Sequence, residues 1–278
     1  MITENFTVQI MLEDSGFNRI LSQMFILVQN LHNFMRPHEI MYTTVLNCQV
    51  VEYADIRMLK RILQIFFPVL GLAVLVFVLS VSIRGNGGIG ATFSTDRLTL
   101  SYNLFRLAGL TAFTLVSFQI ATGPYMHLWK KLYGDRFYLF HSYEGLFVLL
   151  FALLHWGLIH LYMAFADLSI SEFSFLYEKP YIYFGPIALI LIGLTVSTAA
   201  LAVFVQHKKS ERWWRYIHYA NYAVFLLVFF HSMRIGSDVA RTGSPLKPLW
   251  WIFFALFVVG FFYRRVWRVR EKLLSERL

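Results

Sequence analysis

An all-α integral membrane protein, built as a six-helix bundle, is the fold that this sequence predicts, and three observations predict it. Of the 278 residues, 58% are hydrophobic and only 15% are charged, whereas about a quarter of the residues in an ordinary soluble domain are charged. Six apolar runs are each long enough to cross roughly 30 Å of hydrocarbon. Lys and Arg residues flank these runs, as they do where side chains anchor helices at a membrane surface.

The six predicted spans are separated by loops and cover residues 60–83, 103–123, 138–165, 181–205, 213–235 and 248–268. Each span has about 20 residues or more, which is the length that a transmembrane helix needs. Residues 58–270 are therefore predicted to form one six-span membrane domain. The less apolar residues 1–57 are predicted to be an N-terminal extension of uncertain role, and residues 271–278 a short cytoplasmic tail.

The distribution of basic residues predicts the orientation of the bundle. From residue 57 onward, sixteen Lys and Arg residues lie at the start of span one, around the connections from span two to three and from span four to five, and at the end of span six, whereas seven lie on the opposite side. Because cytoplasmic loops carry the excess of positive charge, both ends of the bundle are predicted to be cytoplasmic. The net charge of +9 is then explained by membrane anchoring, and no nucleic-acid partner is predicted. We expect a multi-pass protein of the plasma membrane, in contact with the lipid bilayer.

Histidines are concentrated in two of the predicted spans. Of the nine in the chain, five lie in or at the edge of spans three and five: His141, His155, His160, His218 and His231. A helix rises about 1.5 Å per residue, so the 14 residues from His141 to His155 cover roughly 21 Å, with the two rings only about 40° apart around the axis. The 13 residues from His218 to His231 cover about 20 Å. Since both spans run in the same direction, the four rings fall into two pairs at two depths.

The ideal angular offset within span five is less favourable. His218 and His231 differ by about 140° around a regular helix. We therefore expect this helix to curve, to contain a local π-type widening, or to approach the two ligands from different flanks.

Two imidazoles that face each other across a gap are what heme iron requires, because it takes an axial nitrogen on each face of a flat macrocycle. A neutral imidazole bound to iron is also no longer an unpaired polar group in lipid. The sequence therefore predicts two b-type hemes, stacked across the bilayer between spans three and five. His141, His155, His218 and His231 are the predicted iron ligands. The single cysteine, Cys48, excludes an internal disulfide and a zinc or iron–sulfur site made of cysteines from this chain alone.

Basic residues beside these histidines are candidates to bind the acidic heme propionates. Arg136 and Arg215 precede His141 and His218 on the cytoplasmic side, and Arg106 and Arg234 lie on the outer side. Ordinary anchoring by long basic side chains is the alternative for each of the four arginines.

Other residues of these spans have simpler expected roles. His160 is expected to make a hydrogen-bonded contact between helices. Gly145 and Gly157 would allow either a macrocycle or another helix to come close. Phe147, Phe151 and Phe225 lie between the two histidine levels, where we expect them to contribute to packing. No catalytic residue is assigned.

The spacing H-x13-H in span three and H-x12-H in span five, within six spans, resembles the ferric-reductase-like transmembrane domain family. FHSYEG at the start of span three and RWWRYIHYANYAVFLLVFFH in span five are similar in style to the branch that contains NADPH oxidases and ferric reductases. The resemblance covers about residues 60–270. It implies that His141 and His218 bind an inner heme and that His155 and His231 bind an outer one. Members of the family share the uneven spacing.

The resemblance also implies that a separate protein supplies the electrons. Ferric reductases and NADPH oxidases usually continue into a cytoplasmic domain for FAD and NADPH, whereas here only a short basic tail, residues 264–278, follows the apolar part of span six, without a G-x-G-x-x-G motif in a strand–turn–helix setting. The predicted function is a transmembrane di-heme b-type cytochrome subunit, the electron-transfer component of an oxidoreductase. Its electrons would come from a cytoplasmic donor such as a separate flavoprotein carrying FAD or FMN. The acceptor would be ferric iron or oxygen on the outer side.

Two alternatives remain open at this stage. Intramembrane histidines also serve as proton relays in transporters, although the acidic residues lie almost wholly in loops and Glu144 is the one carboxylate near the start of span three. A structural membrane subunit without a cofactor is the second alternative.

Overall fold

The computed structural model describes residues 48–175, 180–204 and 216–275, and most of them are helical. In chain order the α-helices are α1 (Cys48–Gly85), α2 (Ile89–Thr92), α3 (Arg97–Thr122), α4 (Met126–Tyr133), α5 (Arg136–Phe165), α6 (Ile170–Phe175), α7 (Tyr181–Phe204), α8 (Ala220–Ile235), α9 (Ser237–Ala240) and α10 (Leu246–Ser275). A 3₁₀ turn, Gly123–Tyr125, joins α3 to α4. No strand occurs within these three stretches of chain, and the all-α prediction is confirmed there.

Within the part of the chain that the structure describes, five helices are long and apolar enough to cross a membrane: Met58–Gly85, Arg97–Tyr133, Arg136–Phe165, Tyr181–Ala199 and Leu246–Val266. They correspond to the first, second, third, fourth and sixth predicted spans. The prediction of an integral membrane protein is confirmed by these five helices, which are defined by length and composition. The second of them is longer than predicted because it continues through the 3₁₀ turn into α4.

The fifth predicted span, residues 213–235, is described from residue 216 onward. Residues 216–218 are helical, and the 16 residues of α8 continue to Ile235. The predicted start of this span, including Arg215, lies outside the described residues. A six-span bundle therefore stays a prediction.

The chain divides into two compact units, Met1–Asp55 and Ile56–Leu278. Within the first unit, residues 48–55 are described, and they are helical. The predicted extension, residues 1–57, thus falls almost entirely outside the described residues.

The helices that carry the predicted ligands share two neighbours. Helix α5 packs along α3 and also contacts α7, while α8 packs along α7 and also contacts α3 and α10. Helices α3 and α7 thus flank both histidine-bearing helices. The space between α5 and α8 is therefore bounded by helices on two further sides.

Aromatic side chains from α3, α8 and α10 form the centre of the bundle. Phe113 stacks on Trp250 with ring centroids 4.5 Å apart, and Phe225 stacks on Phe257 at 4.8 Å. Trp250 and Phe225 are fully buried. The indole N–H of Trp250 donates a hydrogen bond of 2.8 Å to the hydroxyl of Ser232, so this buried polar group is satisfied. These contacts hold α8 against α3 and α10.

Large apolar side chains also cover much of the outer surface. Ile65 on α1 is 67% exposed and Ile190 on α7 is 71% exposed. Continuous apolar surface of this kind is unfavourable in water but neutral in lipid. The outward faces of these helices are therefore suited to contact with acyl chains.

A polar cap begins helix α3, on the side predicted to be external. The Asp96 carboxylate accepts a hydrogen bond of 2.9 Å from the N–H of Thr99, which satisfies one of the unpaired donors of the first helical turn. Hydrogen bonds from Thr99 lower the pKa of Asp96. The cap places the start of α3 in a polar setting just outside its apolar stretch.

A buried ion pair ties the same end of the bundle together. Nε of Arg106 on α3 donates to a carboxylate oxygen of Asp238 on α9 at 3.0 Å, and a second guanidinium nitrogen donates to the other oxygen. A third nitrogen donates to Oδ1 of Asn86, in the turn after α1, at 2.7 Å. Asp238 is only 3% exposed. Because Arg106 joins α3 to two other segments, this cluster should matter for stability.

Asp238→Ala is expected to destabilise the bundle strongly. Removal of one partner leaves a buried, unpaired charge, which costs on the order of 3 kcal/mol. The matched control is Asp135→Ala, because Asp135 pairs with Lys130 at 2.8 Å while its side chain is 85% exposed, and exposed pairs contribute roughly 0–1 kcal/mol. Thermal unfolding in detergent measures both, and equal effects of the two substitutions would contradict a structural role for the buried pair.

Candidate functional site

The structure brings the four predicted ligands together as two pairs. The rings of His141 and His218, here called the first pair, have centroids 6.4 Å apart. The rings of His155 and His231, the second pair, have centroids 6.5 Å apart. The nearly equal separations arise at two levels of the bundle that are 14 residues apart on α5. The predicted pairing is the arrangement that the helices adopt.

Backbone carbonyls fix both rings of the second pair. Nδ1 of His155 lies 2.7 Å from the carbonyl oxygen of Phe105 on α3, and Nδ1 of His231 lies 2.9 Å from that of Tyr181 on α7. A carbonyl can only accept, so Nδ1 carries the hydrogen in each neutral ring. Nε2 is then the nitrogen with a free lone pair on both rings. A hydrogen bond on the far nitrogen is the usual partner of a histidine that binds a metal.

Glycines let these two rings reach their carbonyls. A Cβ added to Gly109 on α3 would lie 2.9 Å from Nδ1 of His155, and one added to Gly185 on α7 would lie 3.0 Å from Cε1 of His231. Each glycine stands four residues after the carbonyl that its histidine contacts. The same local design therefore occurs twice, once on each helix that flanks the histidine-bearing helices.

The first pair has different neighbours. Nδ1 of His141 lies 3.7 Å from a carboxylate oxygen of Glu144, one turn later on α5. Nδ1 of His218 lies 3.3 Å from the amide nitrogen of Asn221. The side chain of Gln119 on α3 donates a hydrogen bond of 3.0 Å to the backbone carbonyl of His141. The Nδ1 atoms of the first pair therefore face side chains, whereas those of the second pair contact backbone carbonyls.

A tightened turn brings His218 and His231 into register with α5. The N–H of Tyr219 bonds to the carbonyl of Tyr216, and the N–H of Tyr222 bonds to that of Tyr219, both over three residues at 3.1 Å. A turn of this 3₁₀ type advances about 120° per residue instead of 100°. The extra rotation reduces the ideal offset of about 140°, whereas a π-type widening would increase it. The two rings of the second pair also contact different flanking helices.

A cavity of about 880 Å³ opens around the second pair. Its wall includes both rings, the two glycines that pack on them, and Arg106. This volume lies within the range of roughly 300–1,000 Å³ that holds small molecules and cofactors. The second pair thus faces a space large enough for a bound group.

The donor sets fit a heme. A metal ion held about 2 Å from a nitrogen of each ring would place the two ring centroids roughly 6 Å apart, close to the observed 6.4 and 6.5 Å. Among the described residues, no group of three or more His, Cys, Asp or Glu side chains could hold a metal ion. Two protein ligands per site suit an iron whose other four ligands come from a porphyrin.

The four predicted propionate-binding arginines differ in their surroundings. Arg106 lines the cavity, but its guanidinium already binds Asp238 and Asn86. Arg234 is exposed and lies over the ring of Tyr181 at 5.3 Å. Arg136 is exposed. Arg215 lies outside the described residues. Their roles toward a propionate stay predictions.

The remaining residues with predicted roles in spans three and five contact their own helix, a neighbouring helix, the core or the outer surface. Nδ1 of His160 contacts the carbonyl of Trp156 on its own helix at 2.9 Å, rather than another helix. Gly145 admits another helix, because an added Cβ would lie 2.8 Å from the side-chain amide of Gln119. Phe225 is fully buried in the core, whereas Phe147 is 52% exposed on the outside of α5.

Sequence reasoning missed the glycines of the second pair. Gly109 and Gly185 lie in predicted spans two and four, and neither span contains a histidine. Both spans contain the same sequence pattern, an aromatic residue followed four positions later by glycine: Phe105–Gly109 and Tyr181–Gly185. The pattern becomes meaningful only when the facing histidine is known.

Comparison with known proteins agrees with this arrangement. Residues 108–229 match the family model described as ferric reductase like transmembrane component. The matched segment is similar to the ferric-reductase-like transmembrane domain; it contains three of the four paired histidines and ends two residues before His231. No curated protein and no solved structure matches the chain.

Gly109→Ala and Gly185→Ala are each expected to lower stability by about 1–3 kcal/mol, because the new methyl group overpacks a histidine ring. Gly193→Ala is the matched control on α7, since an added Cβ there meets nothing within 4 Å. It should be neutral or raise stability by up to about 1 kcal/mol through better helix propensity. Thermal unfolding in detergent compares the three variants, and an equal response at all three glycines would contradict the proposed packing.

Proposed function

We propose that this ferric-reductase-like transmembrane domain is the di-heme b-type cytochrome subunit of a membrane electron-transfer system. The observation that supports it most directly is the pairing of imidazoles at two levels, with ring centroids 6.4 and 6.5 Å apart. Each pair offers one axial nitrogen from each side of a gap, as heme iron needs. The match to the family over residues 108–229 supports the same function independently.

The chain's own residues would bind, orient and shield the cofactors. His141 and His218 would be the axial ligands at the first level, and His155 and His231 at the second. The carbonyls of Phe105 and Tyr181 hold the second pair in the tautomer that leaves Nε2 free. When bound, each heme would supply one-electron redox chemistry at its iron. The helices around it would exclude water and set the dielectric of the site.

Direction and partners follow from the charge distribution. The first pair lies at the end of the bundle that the positive-inside rule assigns to the cytoplasm. Electrons would enter there from a separate flavoprotein carrying FAD or FMN, and would leave from the second pair to ferric iron or oxygen. Lys131 and Arg136 are exposed, and at an end that faces the cytoplasm such basic residues would steer an acidic partner.

The wider assignment is part of the same proposal. Residues 58–270 would form the membrane domain, residues 1–57 an extension and residues 271–278 a tail. The protein would lie in the plasma membrane with both ends of the bundle cytoplasmic.

A proton-coupled transporter is the second candidate, and one observation favours it. The buried carboxylate of Glu144 lies beside His141 at 3.7 Å, and buried carboxylate–histidine pairs can relay protons in membranes. The two candidates differ in whether the histidines bind heme. They also differ in whether electrons cross the membrane.

Purified protein expressed with ample heme should contain two b-type hemes per chain, as measured by a pyridine hemochrome assay and a reduced-minus-oxidised spectrum. His155→Ala, His231→Ala and the double variant should each retain one heme, because both rings serve the same site. The combination His141→Ala with His155→Ala should retain none.

His160→Ala is the matched control for these substitutions, since it removes a histidine from the same helix and cavity wall and should leave both hemes bound. Protein without heme would overturn the proposed function. Loss of both hemes in the His155→Ala, His231→Ala double variant would overturn the pairing.

Vesicles containing the two-heme protein should reduce an external, membrane-impermeant ferric chelate when a reductant is enclosed inside. The rate should fall to the background of empty vesicles in the His155→Ala variant, because the outer step is lost. Absorbance of a ferrous indicator measures the rate. Proton uptake or release without electron transfer across the membrane would favour the transporter instead.

A further inference from the structure

Beside the first pair, two buried polar atoms, one on His141 and one on Glu144, face each other without a hydrogen bond. Nδ1 of His141 and Oε2 of Glu144 are both buried, and neither has a hydrogen-bond partner among the described residues. They are 3.7 Å apart, on side chains one helical turn apart on α5. Burial of two unpaired polar atoms is costly. A small rotation of either side chain would close the gap to a normal hydrogen bond, and this bond would satisfy both atoms at once.

The two levels of the bundle differ in this respect. In the second pair, Nδ1 of each ring contacts a neutral backbone carbonyl. In the first pair, Nδ1 of His141 faces a carboxylate that is only 7% exposed. A carboxylate is a stronger acceptor than a carbonyl, and a carboxylate behind a ligating histidine raises the basicity of the ring.

We propose that Glu144 is a positioning residue that makes the first site the lower-potential site of the two. Its carboxylate orients His141 and increases electron donation from that ring to the metal. Greater donation stabilises the oxidised metal, so the reduction potential falls. Electrons would then pass favourably from the first site to the second. This inference rests on the proposed function, because it requires that both pairs bind heme.

The test is a potentiometric titration of heme-loaded protein that carries Glu144→Gln. The amide has nearly the same shape as the carboxylate but is a weaker, neutral acceptor. The midpoint potential of one heme should rise, and the gap between the two hemes should narrow. The double variant His155→Ala, His231→Ala, which should retain only the first heme, identifies the heme that moves. Electron paramagnetic resonance of the oxidised protein should show weaker axial donation at the same heme.

Two further variants control for charge and shape. Asp135→Asn removes a carboxylate six residues before His141, but this carboxylate is 85% exposed, where water and salt screen its charge. It should leave both potentials unchanged. Glu144→Asp keeps the charge on a shorter side chain and should shift the potential less than Glu144→Gln does.

The outcomes separate the two proposals. Protein with two hemes whose potentials are unchanged by Glu144→Gln, or in which only the second heme shifts, overturns the role of Glu144 and leaves the proposed function intact. A shift of equal size in Asp135→Asn also overturns it. Protein that binds no heme overturns both proposals.

Discussion

The arrangement of the bundle depends on two hydrogen bonds from histidine rings to helix carbonyls. Each ring packs against a glycine, which leaves room for the bond to form. The bond from His155 to the carbonyl of Phe105 requires α5 to lie within reach of α3, and Gly109 leaves the room for it. In the same way, the bond from His231 to the carbonyl of Tyr181 requires α8 to lie close to α7, and Gly185 leaves the room for it. Ring orientation and helix spacing are therefore determined together. The rings are positioned by helix packing, and such preorganisation is what precise metal sites need.

The two histidine pairs share a geometry but differ in their surroundings. Their ring centroids are separated by almost the same distance. In each pair, one ring comes from α5 and the other from residues 216–235, which include α8. The second pair is supported by backbone atoms, which are present whatever the side chains are. The first pair is supported by Glu144, Asn221 and Gln119, so its properties depend on sequence. Two pairs of the same residue type can therefore differ in the properties of their imidazole rings.

Much of the fold could be predicted from the sequence because long apolar runs and histidine spacing obey simple helical geometry. The spacing of His141 and His155 fixes their distance and their shared face on α5, and the structure agrees. The tightened turn at Tyr219 could not be predicted, since hydropathy does not record how tightly a helix is wound. The partner of Arg106 is 132 residues away at Asp238, and no local pattern connects the two. Gly109 is meaningful only beside His155, so its role required knowledge of which helices are neighbours.

The packing between the two pairs bears on what can cross the bundle. Between the two pairs on α5 and α8, the side chains of Val148, Val224 and Phe225 are almost completely buried, and Phe113 lies 5.9 Å from Phe225 between ring centroids. A proton needs a chain of water molecules or ionisable groups, and buried apolar side chains offer no polar partners that would hold such water in place. An electron does not need such a chain. An apolar aromatic core between the two histidine levels therefore favours electron transfer over proton transfer through the centre of this protein.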